Sequence, residues 1–136
     1  MIVVDSNVIV YCWVSGARSD IAQRLRAADP GWHVPILWRS EVRSALAGFM
    51  RQDGMSLARA RSILHHIESE LAGFEHLPAG DAVLEILTRS QLSAYDAEFV
   101  ALAEELGVVL VTEDKMVLKT FPSLAVSMER FLGHGQ

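Results

Sequence analysis

The stretch MIVVDSN, residues 1–7, decides the fold of this chain. Residues 2–4 are all β-branched, and such residues favour an extended, pleated backbone. A strand that is apolar on both faces is typical of the middle of a parallel sheet covered by helices. Helical apolar spacing follows at once, with Ser6 or Asn7 placed to cap the helix. Asp5 is therefore expected at the carboxyl end of a central strand, where open α/β sheets bind ligands. The alternative is that Asp5 is only the turn residue that ends the strand.

Length and composition exclude several classes of protein. The 136 residues suffice for one domain, over residues 1–136, with a buried core. No apolar run approaches the roughly 20 residues that a membrane-spanning helix needs, and Asp5 interrupts any signal-peptide pattern. The net charge of −5 disfavours bulk electrostatic binding of nucleic acid, which leaves a local basic rim open. The single cysteine, Cys12, cannot form an internal disulfide, and this favours a cytoplasmic location.

Strands and helices alternate along the rest of the chain. A second fully apolar, β-branched strand is predicted over residues 108–111. Helical spacing is found between the strands, over residues 36–50, 56–71, 81–90 and 93–106. This alternation predicts right-handed crossovers and a mainly parallel sheet flanked by helices.

Two carboxylates follow the two most apolar strands. Asp5 ends the first strand, and Asp114 follows the second in a corresponding position. Because the carboxyl ends of parallel strands meet at one edge of a sheet, both side chains are expected at that edge.

A third carboxylate, Asp96, lies on the apolar face of the helix over residues 93–106. At about 100° per residue, Asp96 falls among buried positions. The other acids of this helix are expected on the opposite face: Glu98, Glu104 and Glu105. Burying a lone carboxylate costs several kcal/mol, so its place on this face needs a reason. The structural alternative is a capping box, since Ser93 and Asp96 have its spacing.

A fourth carboxylate, Glu41, lies at the edge of the buried arc of the helix over residues 36–50. Small neighbours such as Ala45 leave room beside it. Arg39 and Arg43 project away from Glu41, so neither is its obvious ion-pair partner. The alternative is a boundary glutamate that reaches water.

Four carboxylates in one poorly solvated place repel each other and require raised pKa values or a cation. Oxygen ligands without histidine or cysteine suit a hard ion such as Mg²⁺ or Mn²⁺. Such ions polarise a phosphoryl oxygen and lower the pKa of a bound water. The residues alone therefore suggest metal-dependent hydrolysis of a phosphodiester.

The ordered set of motifs resembles the PIN domain, and most of all the VapC-type ribonuclease toxins of bacterial toxin–antitoxin pairs. The resemblance spans nearly the whole chain and is carried by VDSN (4–7), SEV (40–42), SAYDA (93–97) and LVTED (110–114). It implies a PIN-like three-layer α/β/α sandwich with a mainly parallel, about five-stranded central sheet. It also implies an Mg²⁺-dependent endoribonuclease, in which Mn²⁺ can substitute.

The resemblance assigns roles to particular residues. Its catalytic acidic quartet corresponds to Asp5, Glu41, Asp96 and Asp114. Asp5 and Asp96 are the principal direct metal ligands that it implies, joined by Asp114. Asn7 and Thr112 correspond to positions that support the site by hydrogen bonds. A further acid that some relatives carry after the last motif is absent here, so the number of metal ions stays open.

The resemblance also implies partners: an RNA substrate, a second copy of the chain in a homodimer, and a small VapB-like antitoxin in a heterotetramer or larger complex. An arginine of the antitoxin would suit four carboxylates. Two other functions remain open. One is a non-catalytic binding module of the same fold. The other is a phosphatase similar to haloacid dehalogenases, with Asp5 as nucleophile; such an enzyme needs a second acid where this chain has Asn7.

Overall fold

The computed structural model describes residues 1–134. In chain order the elements are β1 (Ile2–Val4), α1 (Ser6–Trp13), α2 (Ser19–Ala28), β2 (Trp32–Pro35), α3 (Trp38–Gln52), α4 (Leu57–Leu71), a 3₁₀ turn (Ala72–Phe74), β3 (Glu75–His76), α5 (Gly80–Thr88), α6 (Ala94–Leu106), β4 (Leu110–Val111), α7 (Lys115–Thr120), β5 (Ala125–Val126) and α8 (Met128–His134). None of the helices within residues 1–134 combines the length and the apolar character needed to cross a bilayer.

The five strands form one parallel sheet in the order β3-β2-β1-β4-β5. β1 occupies the centre, where Ile2 is in register with Trp32 and Val3 with Leu110. The first strand of the sequence is thus the middle strand of the sheet, as its β-branched, wholly apolar residues predict. The predicted fold class is confirmed, with all strand pairs parallel.

Helices cover both faces of the sheet and form two separate cores. Ile2 and Val4 point into the core that α1, α2, α3, α4 and α8 build. Val3 points to the opposite face and packs with residues of α5, α6 and α7. Because side chains alternate along a strand, three consecutive apolar residues supply both cores. The result is the expected three-layer sandwich.

The cap of α1 corrects one expectation. Asp5, rather than Ser6 or Asn7, is the N-cap residue, and its Oδ1 accepts a hydrogen bond of 2.7 Å from the backbone N–H of Ser6. The backbone of Asp5 is still extended (φ −76°, ψ 158°), so helical conformation begins at Ser6 itself. The strand therefore passes into the helix with no intervening loop, and Asp5 serves both.

Candidate functional site

All four predicted carboxylates line one cleft of about 360 Å³ at the carboxyl edge of the sheet. They are Asp5, Glu41, Asp96 and Asp114. Asp5 follows β1 and Asp114 follows β4, which are neighbouring parallel strands. The expectation that two strand ends and two helices bring their acids together is met by the geometry.

Each of the four acids stands at the N-terminus of a helix. Asp5 caps α1 and Asp114 caps α7, where its Oδ1 accepts from the N–H of Val117 at 3.0 Å. Glu41 and Asp96 lie in the first turns of α3 and α6. The unpaired N–H groups and the positive end of the helix dipole favour negative charge at these positions. In a parallel α/β sheet, helix N-termini collect at the edge where strands end, so one topology positions and partly stabilises all four acids.

Asp5 is the most buried of the four carboxylates. Its Oδ2 accepts a hydrogen bond of 2.7 Å from the hydroxyl of Thr112, and its Oδ1 accepts from Ser6 N–H. Burial raises the pKa of Asp5 to about 6, against the lowering effect of these two hydrogen bonds. The negative charges of Asp96 and Glu41 raise it further. In the folded protein without a bound cation, ionisation of the Asp5 carboxylate therefore costs more free energy than it does in water.

Glu41 is half-buried and bound to the chain segment that follows β1. Its Oε1 accepts a hydrogen bond of 2.7 Å from the hydroxyl of Ser6. Burial raises the pKa of Glu41, as does the negative charge of Asp96. Arg39 is turned away, since its guanidinium pairs with Glu75, and the expectation that it does not neutralise Glu41 holds.

Asp96 and Asp114 complete the acidic lining. The capping relation predicted for Ser93 is present, because its Oγ accepts from the backbone N–H of Asp96 at 3.1 Å. Burial raises the pKa of Asp96, and the charge of Asp114 raises it further, while a hydrogen bond from Ser93 lowers it. Capping and a place in the cleft are thus compatible: the backbone of Asp96 makes the cap while its carboxylate lines the cleft.

Thr112 and Asn7 hold this arrangement through hydrogen bonds. The Thr112 hydroxyl donates to Asp5 and accepts from the backbone N–H of Asp114 at 3.0 Å, so one side chain links two of the acids. The Oδ1 of Asn7 accepts from the backbone N–H of Glu113 at 3.5 Å, which is a long contact. Thr112 therefore orients the carboxylate of Asp5 directly and holds the backbone of Asp114, whereas Asn7 contacts the loop that carries Asp114.

The donor set suits a divalent cation. Among residues 1–134 no lysine or arginine forms an ion pair with any of the four carboxylates. As the side chains stand, no three candidate ligands within that range are drawn close enough to hold an ion. The chemistry fits nonetheless: the ligands are hard oxygens, their charges are unbalanced, and three of them have raised pKa values. An ion that binds here must draw the carboxylates together.

The expected position of Glu98 is wrong, and Ser6 and Tyr11 are two lining residues that the sequence did not predict. Glu98 is half-buried and close enough for its charge to raise the pKa of Glu41, whereas Glu104 and Glu105 are exposed as expected. The cause is the wide buried arc of α6, which includes buried residues next to Glu98 on both sides. Ser6 and Tyr11 line the cleft from α1. The helical spacing of α1 after Asp5 was the signal that could have placed them there.

Comparison with protein families and curated proteins gives a consistent match. The family model described as PIN domain matches residues 2–121. Ribonuclease VapC9 of Mycobacterium tuberculosis is 37% identical over 116 residues, which are 84% of this chain and 86% of that protein.

Two solved structures share the fold. The crystal structure of PAE2754 from Pyrobaculum aerophilum has a TM-score of 0.72 at 24% identity, with 98% of this chain and 94% of that one covered. The crystal structure of FitAcB from Neisseria gonorrhoeae has a TM-score of 0.71 at 16% identity, with 95% and 99% covered. At these identities the likeness supports the three-layer architecture described above.

Proposed function

Because the chain belongs to the PIN domain family, we propose that it is a metal-dependent endoribonuclease that acts as the toxin of a toxin–antitoxin pair. The activity is taken from the name of the relative Ribonuclease VapC9, which is 37% identical to this chain over 84% of its length. The reaction proposed is hydrolysis of RNA phosphodiester bonds.

One observation carries the proposal: four carboxylates from separate parts of the chain line a single cleft, with no basic side chain paired to any of them within residues 1–134. If each acid had only a structural role, nothing would offset the repulsion between the four negative charges. A site that recruits a cation and then an anionic phosphate accounts for it.

The proposed cofactor is Mg²⁺, with Mn²⁺ as a substitute, held by Asp5 and Asp96 together with Asp114. When bound, it supplies charge to polarise a phosphoryl oxygen and lowers the pKa of a coordinated water. The three aspartates reach the cleft from β1, α6 and the end of β4, so the frame of the site is the sheet itself. The residues fit the ion in chemistry and in placement around one cleft.

The remaining polar groups have roles that follow from their contacts. Thr112 keeps Asp5 oriented and ties it to the backbone of Asp114. Ser6 holds the carboxylate of Glu41 at Oε1, and the raised pKa of Glu41 suits it to take up and hold a proton at Oε2. Glu41 is therefore our candidate for the proton acceptor during attack of water on phosphorus.

Partners follow from the same proposal. A small VapB-like antitoxin would cover the acidic cleft, and an arginine of that protein would match the unpaired carboxylates. A homodimer that forms a heterotetramer or larger complex with the antitoxin is part of the proposal, and so is action on RNA in the cytoplasm. Expression without the antitoxin should arrest growth, and expression of the Asp96→Asn variant should not.

The direct test is cleavage of single-stranded and structured RNA by the purified chain with and without Mg²⁺ or Mn²⁺. Cleavage should require the ion and should be lost in Asp5→Asn and Asp96→Asn, because each variant removes one negative ligand while it keeps the side-chain shape. Glu105→Gln is the matched control, since Glu105 lies on the same helix as Asp96 but is exposed.

The outcomes separate the alternatives. Equal cleavage by all three variants would mean that a contaminating nuclease acts. Absence of cleavage together with absence of ion binding would favour the non-catalytic binding module. A covalent aspartyl-phosphate trapped on Asp5 would favour the phosphatase.

A further inference from the structure

Two further clefts continue from the acidic cleft along helix α1. The second cleft has a volume of about 220 Å³ and shares Val10 and Tyr11 with the acidic cleft. The third has a volume of about 350 Å³ and shares Val14 and Phe49 with the second. Val10 and Val14, the C-cap residue of α1, lie one helical turn apart, so the three clefts follow one another along the helix and are here called the α1 groove. It begins at the carboxylates and runs away from them.

The lining of the α1 groove changes from acidic to basic and aromatic with distance from the carboxylates. Among residues 1–134, no basic side chain lines the acidic cleft. The second cleft is lined by Arg18 and by the aromatic rings of Tyr11 and Phe49. The third is lined by Arg59, beside Asp53. In a protein with a net charge of −5, an arginine thus lines each of the two clefts beyond the acidic one.

Arg18 contacts Glu113 through one nitrogen and Tyr11 through the face of its guanidinium. Its Nη2 donates to Oε1 of Glu113, whose Oε2 in turn accepts from the backbone N–H of Met128 at 2.8 Å. Its guanidinium lies over the ring of Tyr11, 5.6 Å from the ring centre. Its Nε is buried and has no acceptor among residues 1–134, and 38% of the side chain is exposed. Nε is therefore out of reach of a ligand, whereas Nη1 makes no hydrogen bond to residues 1–134 and can donate to one.

We propose that Arg18 and Tyr11 form a nucleotide subsite beside the acidic centre, in which Arg18 binds the RNA phosphate next to the scissile one. The unpaired base of that nucleotide lies in the second cleft, between the Arg18–Tyr11 stack and Phe49. Bases stack on aromatic rings and on guanidinium planes without regard to sequence. Because Nη2 is bonded to Glu113 and Nε is buried, Nη1 is the donor through which Arg18 would contact the phosphate.

This subsite rests on the proposed ribonuclease function and adds the position of the substrate to it. Charge favours RNA as the occupant, because Arg18 lines a cleft that shares Val10 and Tyr11 with the acidic cleft proposed to bind a phosphodiester. A segment of a partner protein would use the apolar walls of the groove but would not require a phosphate ligand at Arg18. That occupant is one outcome of the test.

The test measures RNA binding separately from cleavage. In an Asp96→Asn background with no divalent ion, anisotropy of a fluorescein-labelled, single-stranded RNA of randomised sequence is followed over a range of salt concentrations. Arg18→Ala should weaken binding about ten-fold, as expected for loss of one charged hydrogen-bonded contact. It should also make the slope of log affinity against log salt shallower by about 0.7, because one phosphate contact is lost. A merely structural role for Arg18 would not change that slope.

Matched variants complete the design. Arg18→Lys should restore most of the slope, and Arg24→Ala, which removes an exposed arginine from the same helix region, should change neither affinity nor slope. Arg18→Gln replaces Arg18→Ala if circular dichroism shows that the alanine variant is unfolded.

The results decide the two proposals separately. A chain that binds and cleaves RNA but in which Arg18→Ala behaves like Arg24→Ala overturns the subsite and leaves the nuclease intact. If Arg18→Ala keeps RNA affinity but loses a co-expressed protein partner, the groove takes a protein segment and the subsite is wrong. A chain that neither binds nor cleaves RNA overturns both.

Discussion

Asp5 has both a structural role and the raised pKa that sets the electrostatics of the site. It ends the central strand, caps α1 and accepts hydrogen bonds from Ser6 and Thr112. Even with these donors, burial raises its pKa to about 6 from the ordinary 3.8. The apo protein therefore holds a proton on Asp5 more tightly when folded than when unfolded. That difference makes the free energy of unfolding depend on pH.

The sign of this dependence gives a prediction for the metal-free protein. Since the folded pKa is the higher one, the contribution of Asp5 to stability is greatest below pH 3.8 and is lost as pH rises to and past 6. Between about pH 5 and about pH 7.5 the wild type should lose roughly 1–2 kcal/mol more of its free energy of unfolding than Asp5→Asn does. Urea titrations of both proteins in a chelating buffer measure it. Parallel pH profiles would show that Asp5 is not the buried acid described here.

Thr112 is expected to matter for activity more than for folding. Thr112→Val keeps the shape but removes the hydroxyl that links Asp5 to the backbone of Asp114. Loss of such an orienting contact should lower RNA cleavage about 10- to 100-fold. Thr88→Val is the control, because its hydroxyl bonds only to a backbone carbonyl on the exposed side of α5. Equal activity of both variants would remove Thr112 from the site.

The sequence predicted individual acids well where the chain geometry is local. Asp5 and Asp114 follow β-branched strands, and strand ends in a parallel sheet converge whatever the loops do. Ser6 was proposed as a cap and is instead the hydrogen-bond donor to Glu41, 35 residues away in the chain. That contact depends on how α1 and α3 pack, which periodicity within either helix does not specify. The burial of Glu98 depends on packing around α6 in the same way.

At the scale of elements, the helix N-termini organise the site. Asp5 and Asp114 are helix caps, and Glu41 and Asp96 lie in first turns. The parallel topology directs these helix ends to one edge of the sheet, so four weakly favourable dipole interactions accumulate there. Helix existence and order were predictable from periodicity. Strand length was not: residues 108–111 are uniformly apolar, yet only Leu110–Val111 pair in the sheet. The number of residues that pair depends on the length and position of the neighbouring strands, which the residues of one strand do not specify.

Two glycines provide opposite predictions about helix stability. Gly107 ends α6 with φ +67°, a conformation that a β-carbon disfavours, so Gly107→Ala should lower the free energy of unfolding by about 1 kcal/mol. Gly48 lies inside α3, and a β-carbon added there meets nothing within 4 Å. Gly48→Ala should therefore raise the free energy of unfolding by about 0.5–1 kcal/mol. Chemical denaturation compares the two, and shifts in the same direction would contradict the roles given to these two glycines.

At the scale of the whole molecule, charges of opposite sign are concentrated in different places. The chain is acidic overall, its unpaired acids meet in one cleft, and arginines border the groove that leaves it. The placement of the four acids at one edge of the sheet and the fold class could be predicted from sequence, because each follows from a local pattern. The groove could not, because its walls come from the packing of α1 and α3 with the starts of α2 and α4 and with the segments that connect these helices.

The most direct test of the account is calorimetric titration of Mn²⁺ into the metal-free protein near neutral pH. The wild type should bind the ion and release protons, because an ion at the cleft competes with the proton that the raised pKa of Asp5 favours. Asp5→Asn and Asp96→Asn should each weaken binding at least about ten-fold, and Glu105→Gln should bind like the wild type. Absence of binding to the wild type, or equal binding by all four proteins, would contradict a metal site at these carboxylates.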